Sequence, residues 1–351
     1  MSSSVTKFIK TISKTYDLDE AELKAIWKGL GSTKKRDKPS TITKPFLKWV
    51  GGKTQILDEI AARFPSDIND YHEVFVGGGS VLLMLLSRMK AGQITVRGKI
   101  HAYDLNMGLI WAYKNIQANP EGVFEYINSI VTEYSSIPYE GGDINREATT
   151  IEEARQNKEN YYYWMREKYK GIKDKTSLEN SAIFIFLNKT CFRGVYREGP
   201  NGFNVPFGHY KTNDFASLSH LKEVSELIAD VEFECTDFEH VLTNKNFSSR
   251  DFVYLDPPYV PIKDNSFVSY NEGGFNSEKH EKLFKLTVNI PSFLMSNSKT
   301  ERVVNAFPQE EFTVENIICR RSINCRSVKK SDSDNVSPPE ITAVEVLVTR
   351  K

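Results

Sequence analysis

Apolar and polar positions along this chain fall into blocks whose period changes from one region to the next. YHEVFVGGGSVLLMLL (71–86) reads as an apolar strand, a glycine turn and a helix. KIHAYDLN (99–106) is a second strand ending in an acid, and DFVYLDPPY (251–259) is a third. SFLMSNS (292–298) and ITAVEVLVTR (341–350) have the same strand-like texture. Strands alternating with helical runs predict an α/β fold: a parallel or mostly parallel Rossmann-like sheet that binds ligand at the carboxyl ends of its strands. Residues 120–235 differ, being dense in charge and aromatics, and IEEARQNKENYYYWMREKYKGIKDK (151–175) predicts one long helix. This region reads as an inserted, mostly helical domain dividing a sheet domain into halves at 42–119 and 236–351. Before them, Asp17-Leu18-Asp19-Glu20 starts a helix with Leu18, Leu23, Ile26, Trp27 and Leu30 on its apolar side. Gly31 stops it, and GSTKKRDKPST (31–41) is a basic linker, so residues 1–41 form a helical extension.

Composition narrows the function classes only a little. Hydrophobic content of 40% and charge of 26% are those of a globular domain. No apolar run approaches the roughly 20 residues of a membrane span, and MSSSVTKFIKTISKTYD lacks the apolar stretch of a secretory signal. No membrane association is expected, and the protein should be intracellular and soluble. Cys191, Cys235, Cys319 and Cys325 are scattered without C-x-x-C spacing, so no metal site or disulfide framework is expected. Forty-six basic and 46 acidic residues cancel. Local clusters say more. RRSINCRSVKK (320–330), beginning with Arg320 and Arg321, has five basic side chains and no acid, as a phosphate-contacting strip would. NKTCFRGVYREGPNGFNVPFGHYK (188–211) mixes basic side chains with rings and glycine turns. Guanidinium and ammonium groups there suit phosphates and guanine edges, and rings suit stacking.

Three motifs carry the chemistry. PFLKWVGGKTQIL (45–57) ends like a P-loop, but the glycine required five residues before Gly52 is Leu47, which argues against a triphosphate. Trp49 and Lys53 instead offer a flat apolar surface beside one positive charge, suiting a ligand with a carboxylate and an aromatic or sulfonium part. Phe75-Val76-Gly77-Gly78-Gly79-Ser80 links a strand to a helix, where glycines permit close backbone approach to a ligand. Asp104, ending the next strand, is placed to accept from a ribose diol. These two features fit any adenosyl cofactor. Asp256-Pro257-Pro258-Tyr259 divides the choices. Its prolines remove backbone donors and stiffen the turn, leaving a carboxylate and carbonyls as paired acceptors for an exocyclic amine, with a tyrosine face for a planar base. Hydride transfer needs none of this; methylation of a ring-conjugated amine does.

With these motifs in this order, the chain resembles the Dam-type DNA adenine-N6 methyltransferases, the D12 class of the alpha group. The matching segments are PFLKWVGGKTQIL, VFVGGGSVLL, AYDLN, LNKTCFRGVYR, GFNVPFGHYK, VYLDPPY, FLMSNS and RRSIN, running from about residue 45 to 350. The resemblance implies S-adenosyl-L-methionine as cofactor and double-stranded DNA as substrate, with a cognate restriction endonuclease as a partner in function and a monomer or weak dimer as the working form. It implies that Trp49 and Lys53 lie at the methionine end of the cofactor, the lysine near its carboxylate. Phe75, Gly77 and Gly79 would form the turn, Asp104 would take the ribose, and Asp237 and Phe238 would approach the adenine. Asp256, Pro257, Pro258 and Tyr259 would hold a target base that has left the duplex stack. Residues 120–235 become a target-recognition domain, with Lys189, Phe192, Arg193, Arg197, Asn204, Pro206, His209 and Lys211, together with Arg320 and Arg321, as DNA contacts.

Two positions depart from the branch that reads GATC, which has asparagine where Arg193 stands and arginine where His209 stands. Arg197 matches the family's guanine-reading arginine. The spelling of this loop is closer to the CATG-methylating branch, so CATG is the expected site and GATC its rival. Val74 stands where the family usually has proline. Glutamine or RNA-adenine methylation usually begins its motif with asparagine, and cytosine-N4 methylation with serine, whereas Asp256 is present here. A non-catalytic DNA-binding relative would have lost Asp256, Tyr259 or the glycine turn.

Overall fold

The computed structural model describes residues 42–138, 143–261, 274–321 and 341–351, together with Thr6, Lys10, Ser13, Glu20, Ala21 and Lys24. Apart from those six positions, the expected amino-terminal helix and linker lie outside the described residues, as do residues 322–330 of the basic strip.

In chain order the strands are β1 (Asp67–Ile68), β2 (Tyr71–Glu73), β3 (Thr95–Val96), β4 (Ile100–Asp104), β5 (Glu198–Gly199), β6 (Gly202–Phe203), β7 (Val231–Cys235), β8 (Phe252–Leu255), β9 (Phe293–Ser298), β10 (Phe312–Arg321) and β11 (Ile341–Arg350). Among the described residues, seven of them form one sheet in the order β10-β11-β9-β8-β2-β4-β7. The run from β9 to β7 is parallel, and β11 is antiparallel to both of its neighbours. Every residue of β8 and β9 is buried, as a sheet covered on both faces requires, which is why β8 and the first half of β9 read as apolar runs; Ser296, Asn297 and Ser298, ending β9, are buried polar residues. Edge strand β7 alternates more, with only Val231 and Phe233 buried.

Alternate residues of β8 serve the two faces. Phe252 and Tyr254 join a core with Phe64, Tyr71 and the helix Ser80–Lys90. Val253 and Leu255 join another with Leu283, Phe293 and Phe307. From β2 the chain moves outward to β4 and β7, then returns to the other side of β2 for β8 and β9. The direction reverses between β2 and β8, so the crevice lies at their carboxyl ends. The Gly77 turn and Asp256 therefore meet despite their distance in sequence.

Between β4 and β7 the insertion is helical. Leu178–Thr190 is buried from Asn180 to Thr190 and forms its axis. Asn106, Asn119, Asn157, Ser177 and Ser217 each cap a helix by accepting from a first-turn backbone N–H. The single helix expected over 151–175 is two, Ile151–Ala154 and Lys158–Gly171. Asn157 breaks it: its side chain accepts from Glu159 N–H at 2.8 Å, satisfying a donor that a continuous helix would have used. The insertion shares one apolar core with the sheet's face, Phe46 and Tyr113 packing in the same cluster as Ile183 and Phe186. No described helix is long and apolar enough to cross a membrane.

Two buried histidines give the fold a pH dependence. His72 stacks on His101 at 4.6 Å and nearly parallel, with its Nδ1 3.2 Å from Tyr103 Oη. Burial, then the neighbouring His101, brings His72 down to about 4. Burial, then Arg302, does the same for His280. Between pH 6.5 and 4 the unfolded chain binds more protons at both sites, so stability present at neutral pH is lost as pH falls through that window. The loss should be on the order of 3 kcal/mol per histidine. Urea unfolding of the His72→Gln protein between pH 7 and 4.5 should show a shallower decline than the parent, and an unchanged slope would contradict the assignment.

Candidate active site

The turn after β2 is shaped by what packs against it. Gly77 and Gly79 have φ of 48° and 70°, in the left-handed region where glycine is favoured. A Cβ on Gly77 would lie 2.8 Å from Trp49 Cδ1, and one on Gly79 would lie 2.4 Å from Tyr113 Oη. The turn thus has the Trp49 indole on it and the Tyr113 phenol beneath it. Asp104 closes it from β4: Oδ2 accepts from Gly77 N–H at 3.0 Å and Oδ1 from Asn106 N–H at 2.9 Å. Burial nonetheless raises the Asp104 carboxyl above its usual range. Phe75 and Phe238 lie beside this turn with ring centroids 5.8 Å apart. The Asp237 side chain caps the following helix by accepting from Glu239 N–H at 2.8 Å. Phe275 packs edge-on against Phe75 at 6.1 Å, making a third aromatic wall.

The Asp256 motif leaves β8 on the other side of the crevice. Asp256 Oδ2 is 2.7 Å from Lys53 Nζ, the lysine being 4% exposed and the aspartate 19%. Lys53 Nζ also donates to Gly51 O at 2.5 Å and lies 4.9 Å from the centroid of the Tyr259 ring. Asp256 Oδ1 is buried and has no hydrogen-bond partner among the described residues. Burial pushes the Asp256 carboxyl up, Lys53 pulls it down, and the Glu345 carboxylate pushes it up again. Tyr259 Oη donates to Glu345 Oε2 at 2.8 Å. Beneath, Glu73 at the end of β2 accepts from Tyr71 Oη at 2.6 Å, and burial holds its carboxyl up at about 8. Among the described residues no group of acidic, histidine or cysteine side chains could hold a metal ion.

The lysine expected near a cofactor carboxylate is thus ion-paired to Asp256, joining the 45–57 segment to the Pro-Pro-Tyr turn. That segment is also tied to the insertion. Lys48 N–H donates to Asn188 Oδ1 at 2.9 Å, and Asn188 Nδ2 donates to Lys48 O at 2.6 Å. Trp49 stacks on Tyr196, with centroids 6.1 Å apart and planes 19° apart.

From Asn188 the chain runs into an exposed loop and the β5–β6 hairpin. Phe203, Val205 and Phe207 point inward, Tyr162 Oη donating to Val205 O at 2.7 Å. Asn204 and Pro206 alternate outward, and Phe192, Arg193, Arg197, His209 and Lys211 are exposed beside them. Arg193 and His209 both have positive φ, 59° and 52°. Arg193 N–H donates to Tyr210 Oη at 2.6 Å, and His209 Nε2 is 3.6 Å from Glu159 Oε2. Arg197 Nε donates to Asn204 Oδ1 at 2.6 Å, which fixes the guanidinium direction. Lys189 does not join this surface: it is 6% exposed, and burial lowers its ammonium below the usual range. Arg320 and Arg321 end β10, paired with Thr342 and Ile341 of β11.

A glycine turn and an acid on neighbouring strands face a buried carboxylate followed by Pro-Pro-Tyr, and comparison with known proteins gives this constellation its class. The family model described as D12 class N6 adenine-specific DNA methyltransferase matches residues 49–323. The chain belongs to that family. It is 34% identical over 303 residues to a Type II methyltransferase, M.MjaIII, of Methanocaldococcus jannaschii, covering 82% of this chain and 96% of that one. It is 28% identical over 318 residues to a DNA adenine methylase of Haemophilus influenzae, covering 88% and 95%. It is 29% identical over 294 residues to the Type II methyltransferase M1.LlaDCHI of Lactococcus lactis, covering 81% and 90%.

Sequence reading of this adenine-specific DNA methyltransferase passed over Glu73, Asn188, Phe275 and Glu345. Two of them carry a signal in the sequence. Glu73 in YHEVFV and Glu345 in ITAVEVLV are lone carboxylates inside apolar strands, where a charge is costly without a partner. Asn188 and Phe275 have no such mark, because their partners come from remote segments.

Proposed function

We propose that this enzyme transfers a methyl group from S-adenosyl-L-methionine to N6 of an adenine flipped out of a short duplex site, with CATG as that site and GATC as its rival. The observation that carries the reading is the buried Asp256 Oδ1, unpartnered at the mouth of the Pro-Pro-Tyr turn. An amine donor placed there would satisfy it. Accepting N–H protons at Asp256 and at the Pro257 carbonyl returns electron density to N6, whose lone pair is otherwise delocalised into the ring. The Tyr259 face would stack on the base, recovering part of the few kcal/mol that flipping costs.

The residues fit the cofactor. Gly77 and Gly79 leave a cradle that a Cβ would fill, Phe75 and Phe238 supply apolar faces, and Asp104 keeps lone pairs free for ribose hydroxyls. When bound, S-adenosyl-L-methionine supplies an electrophilic methyl on a sulfonium. Trp49 would wall off its methionine end, with Lys53 shared between its carboxylate and Asp256. The protein's part is to hold nitrogen and methyl in line, which is positioning work.

Residues 120–235 are read as the target-recognition domain, with 42–119 and 236–351 as the two halves of the catalytic domain. Phe192 would wedge or stack, Arg197 would read guanine with Asn204 and Pro206 beside it, and Arg193, His209 and Lys211 would meet phosphates or neighbouring bases. Arg320 and Arg321 would contact phosphates. Lys189, being buried, would contact DNA only after a side-chain rearrangement. The Type II names of two relatives support a role in protecting DNA from a restriction endonuclease that cuts the same site.

The test is transfer of label from tritiated S-adenosyl-L-methionine to duplexes carrying CATG, GATC or a scrambled site. CATG should be labelled at least tenfold faster than the others. Preference for GATC would transfer the assignment to the rival, and equal labelling of all three would refute sequence specificity.

A further inference from the structure

The geometry points to Glu345 as a positioning residue for methyl transfer, acting by fixing the Tyr259 ring through its hydroxyl. This inference rests on the base-holding role proposed for Tyr259.

Glu345 is a costly residue where it stands. It is 7% exposed on β11, flanked by the fully buried Val344 and Val346. An ionised carboxylate in such a place costs several kcal/mol unless it is paired or hydrogen-bonded. Tyr259 Oη supplies such a partner, donating to Glu345 Oε2 at 2.8 Å. The phenol also lies within hydrogen-bonding reach of Asp256, whose carboxyl it helps to pull down, and its bond to Glu345 ties it to a strand remote from its own.

The register shows what this hold does. Glu345 pairs with Ser298 and Val346 with Asn297 across β11 and β9. Asn297 Oδ1 accepts from Val260 N–H at 3.1 Å, and Ser298 Oγ donates to Val260 O at 2.5 Å. The end of the β9–β11 pair therefore grips the turn twice: by its backbone at Val260 and by its side chain at Tyr259. Two prolines stiffen the turn before that point, but a tyrosine ring still has two side-chain torsions of its own. The Glu345 bond restricts both. The ring it fixes also lies 4.9 Å from Lys53 Nζ, which is paired to Asp256. Glu345, Tyr259, Lys53 and Asp256 thus form one connected row, and a loosened ring would disturb both the stacking face and the cation over it.

Five proteins test this: the parent, Glu345→Gln, Glu345→Leu, Tyr259→Phe and the double variant Glu345→Leu/Tyr259→Phe. Glutamine keeps an acceptor oxygen, while leucine removes it without opening a large cavity. Glu345→Leu should lower kcat about 30-fold, with the duplex Kd and the KM for the methyl donor within threefold of the parent. Glu345→Gln should recover activity to within about fivefold. The double variant should be no slower than the slower single variant, because both break the same bond. With 2-aminopurine at the target position, Glu345→Leu should change the fluorescence of the bound duplex at saturating protein. A Glu345→Leu protein with parental kcat, or a glutamine variant as slow as the leucine one, would overturn the proposal. So would losses that multiply in the double variant, or a kcat loss matched by a loss of folded protein in melting curves. The underlying reading fails separately, when the parent labels no duplex. In that case a 3-fluorotyrosine at position 259 still decides the contact, since its fluorine resonance should shift in Glu345→Gln without any DNA, and an unmoved resonance would refute it.

Discussion

Asp256→Asn protein should bind duplex DNA within about threefold of the parent yet transfer methyl groups about 10³-fold more slowly, the range seen when a preorganised electrostatic contact is removed from a reacting centre. The asparagine is isosteric but offers one neutral acceptor oxygen and a competing amide donor, so N6 would lose the charged acceptor for one of its protons while the Pro257 carbonyl keeps the other. Asparagine is a better probe than alanine for a structural reason. Asp256 and Lys53 form a largely buried pair at 2.7 Å, and removing one partner of such a pair outright costs about 3–5 kcal/mol; asparagine also leaves the ammonium without its counter-charge but keeps an oxygen to accept from Lys53 Nζ, so it loses less. Asp256→Ala should therefore lose activity and also melt earlier, confusing catalysis with folding. Single-turnover transfer with saturating DNA, beside a filter-binding curve, separates the two. Near-parental turnover by Asp256→Asn would end the assignment of Asp256 to the amine.

Gly79→Ala should lower stability by about 2–4 kcal/mol, from left-handed backbone strain and overpacking together, and weaken binding of the methyl donor at least tenfold. The added Cβ would sit 2.4 Å from Tyr113 Oη, too close for any contact, and Tyr113 has nowhere to go. Its ring is fully buried, edge-on to Phe46 at 5.1 Å and stacked on Phe233 at 4.8 Å. The turn must move instead, and with it Gly77 N–H, which Asp104 holds at 3.0 Å. Titration calorimetry with the methyl donor and a urea melt measure the two effects. Tyr113→Phe in the Gly79→Ala background should restore part of both by removing the colliding oxygen. If donor affinity is unchanged in Gly79→Ala, the glycine turn is not the cofactor cradle.

The strands were legible because a parallel sheet buries both faces and so writes predominantly apolar, ring-rich stretches. YHE, HAYD, FVYL and FLMSNS each fall on a strand, and the Gly77 turn and Asp256 could be placed near strand ends from the sequence. Asn157 shows the limit of periodicity. The 151–175 stretch has helical spacing throughout, yet a side-chain cap divides it, and a cap depends on local geometry that charge and ring patterns do not encode.

The sequence by itself determined the chemistry class. A short rigid turn with a carboxylate, two prolines and a tyrosine can be recognised because its function depends on neighbours along the chain. Side-chain roles set by remote partners were decided by tertiary structure alone. Lys53 was legible as a cation for a carboxylate, but only the adjacency of β2 and β8 brings it to Asp256. Lys189 was legible as basic, but only the packing of Leu178–Thr190 buries it. Glu345 appeared as a charge stranded in an apolar strand, and only the antiparallel pairing of β11 with β9 gives it Tyr259 to hold. Burial and pairing are properties of segments brought together, so the stretch PFLKWVGGKTQIL contained its tryptophan and lysine but not the partners that give them work.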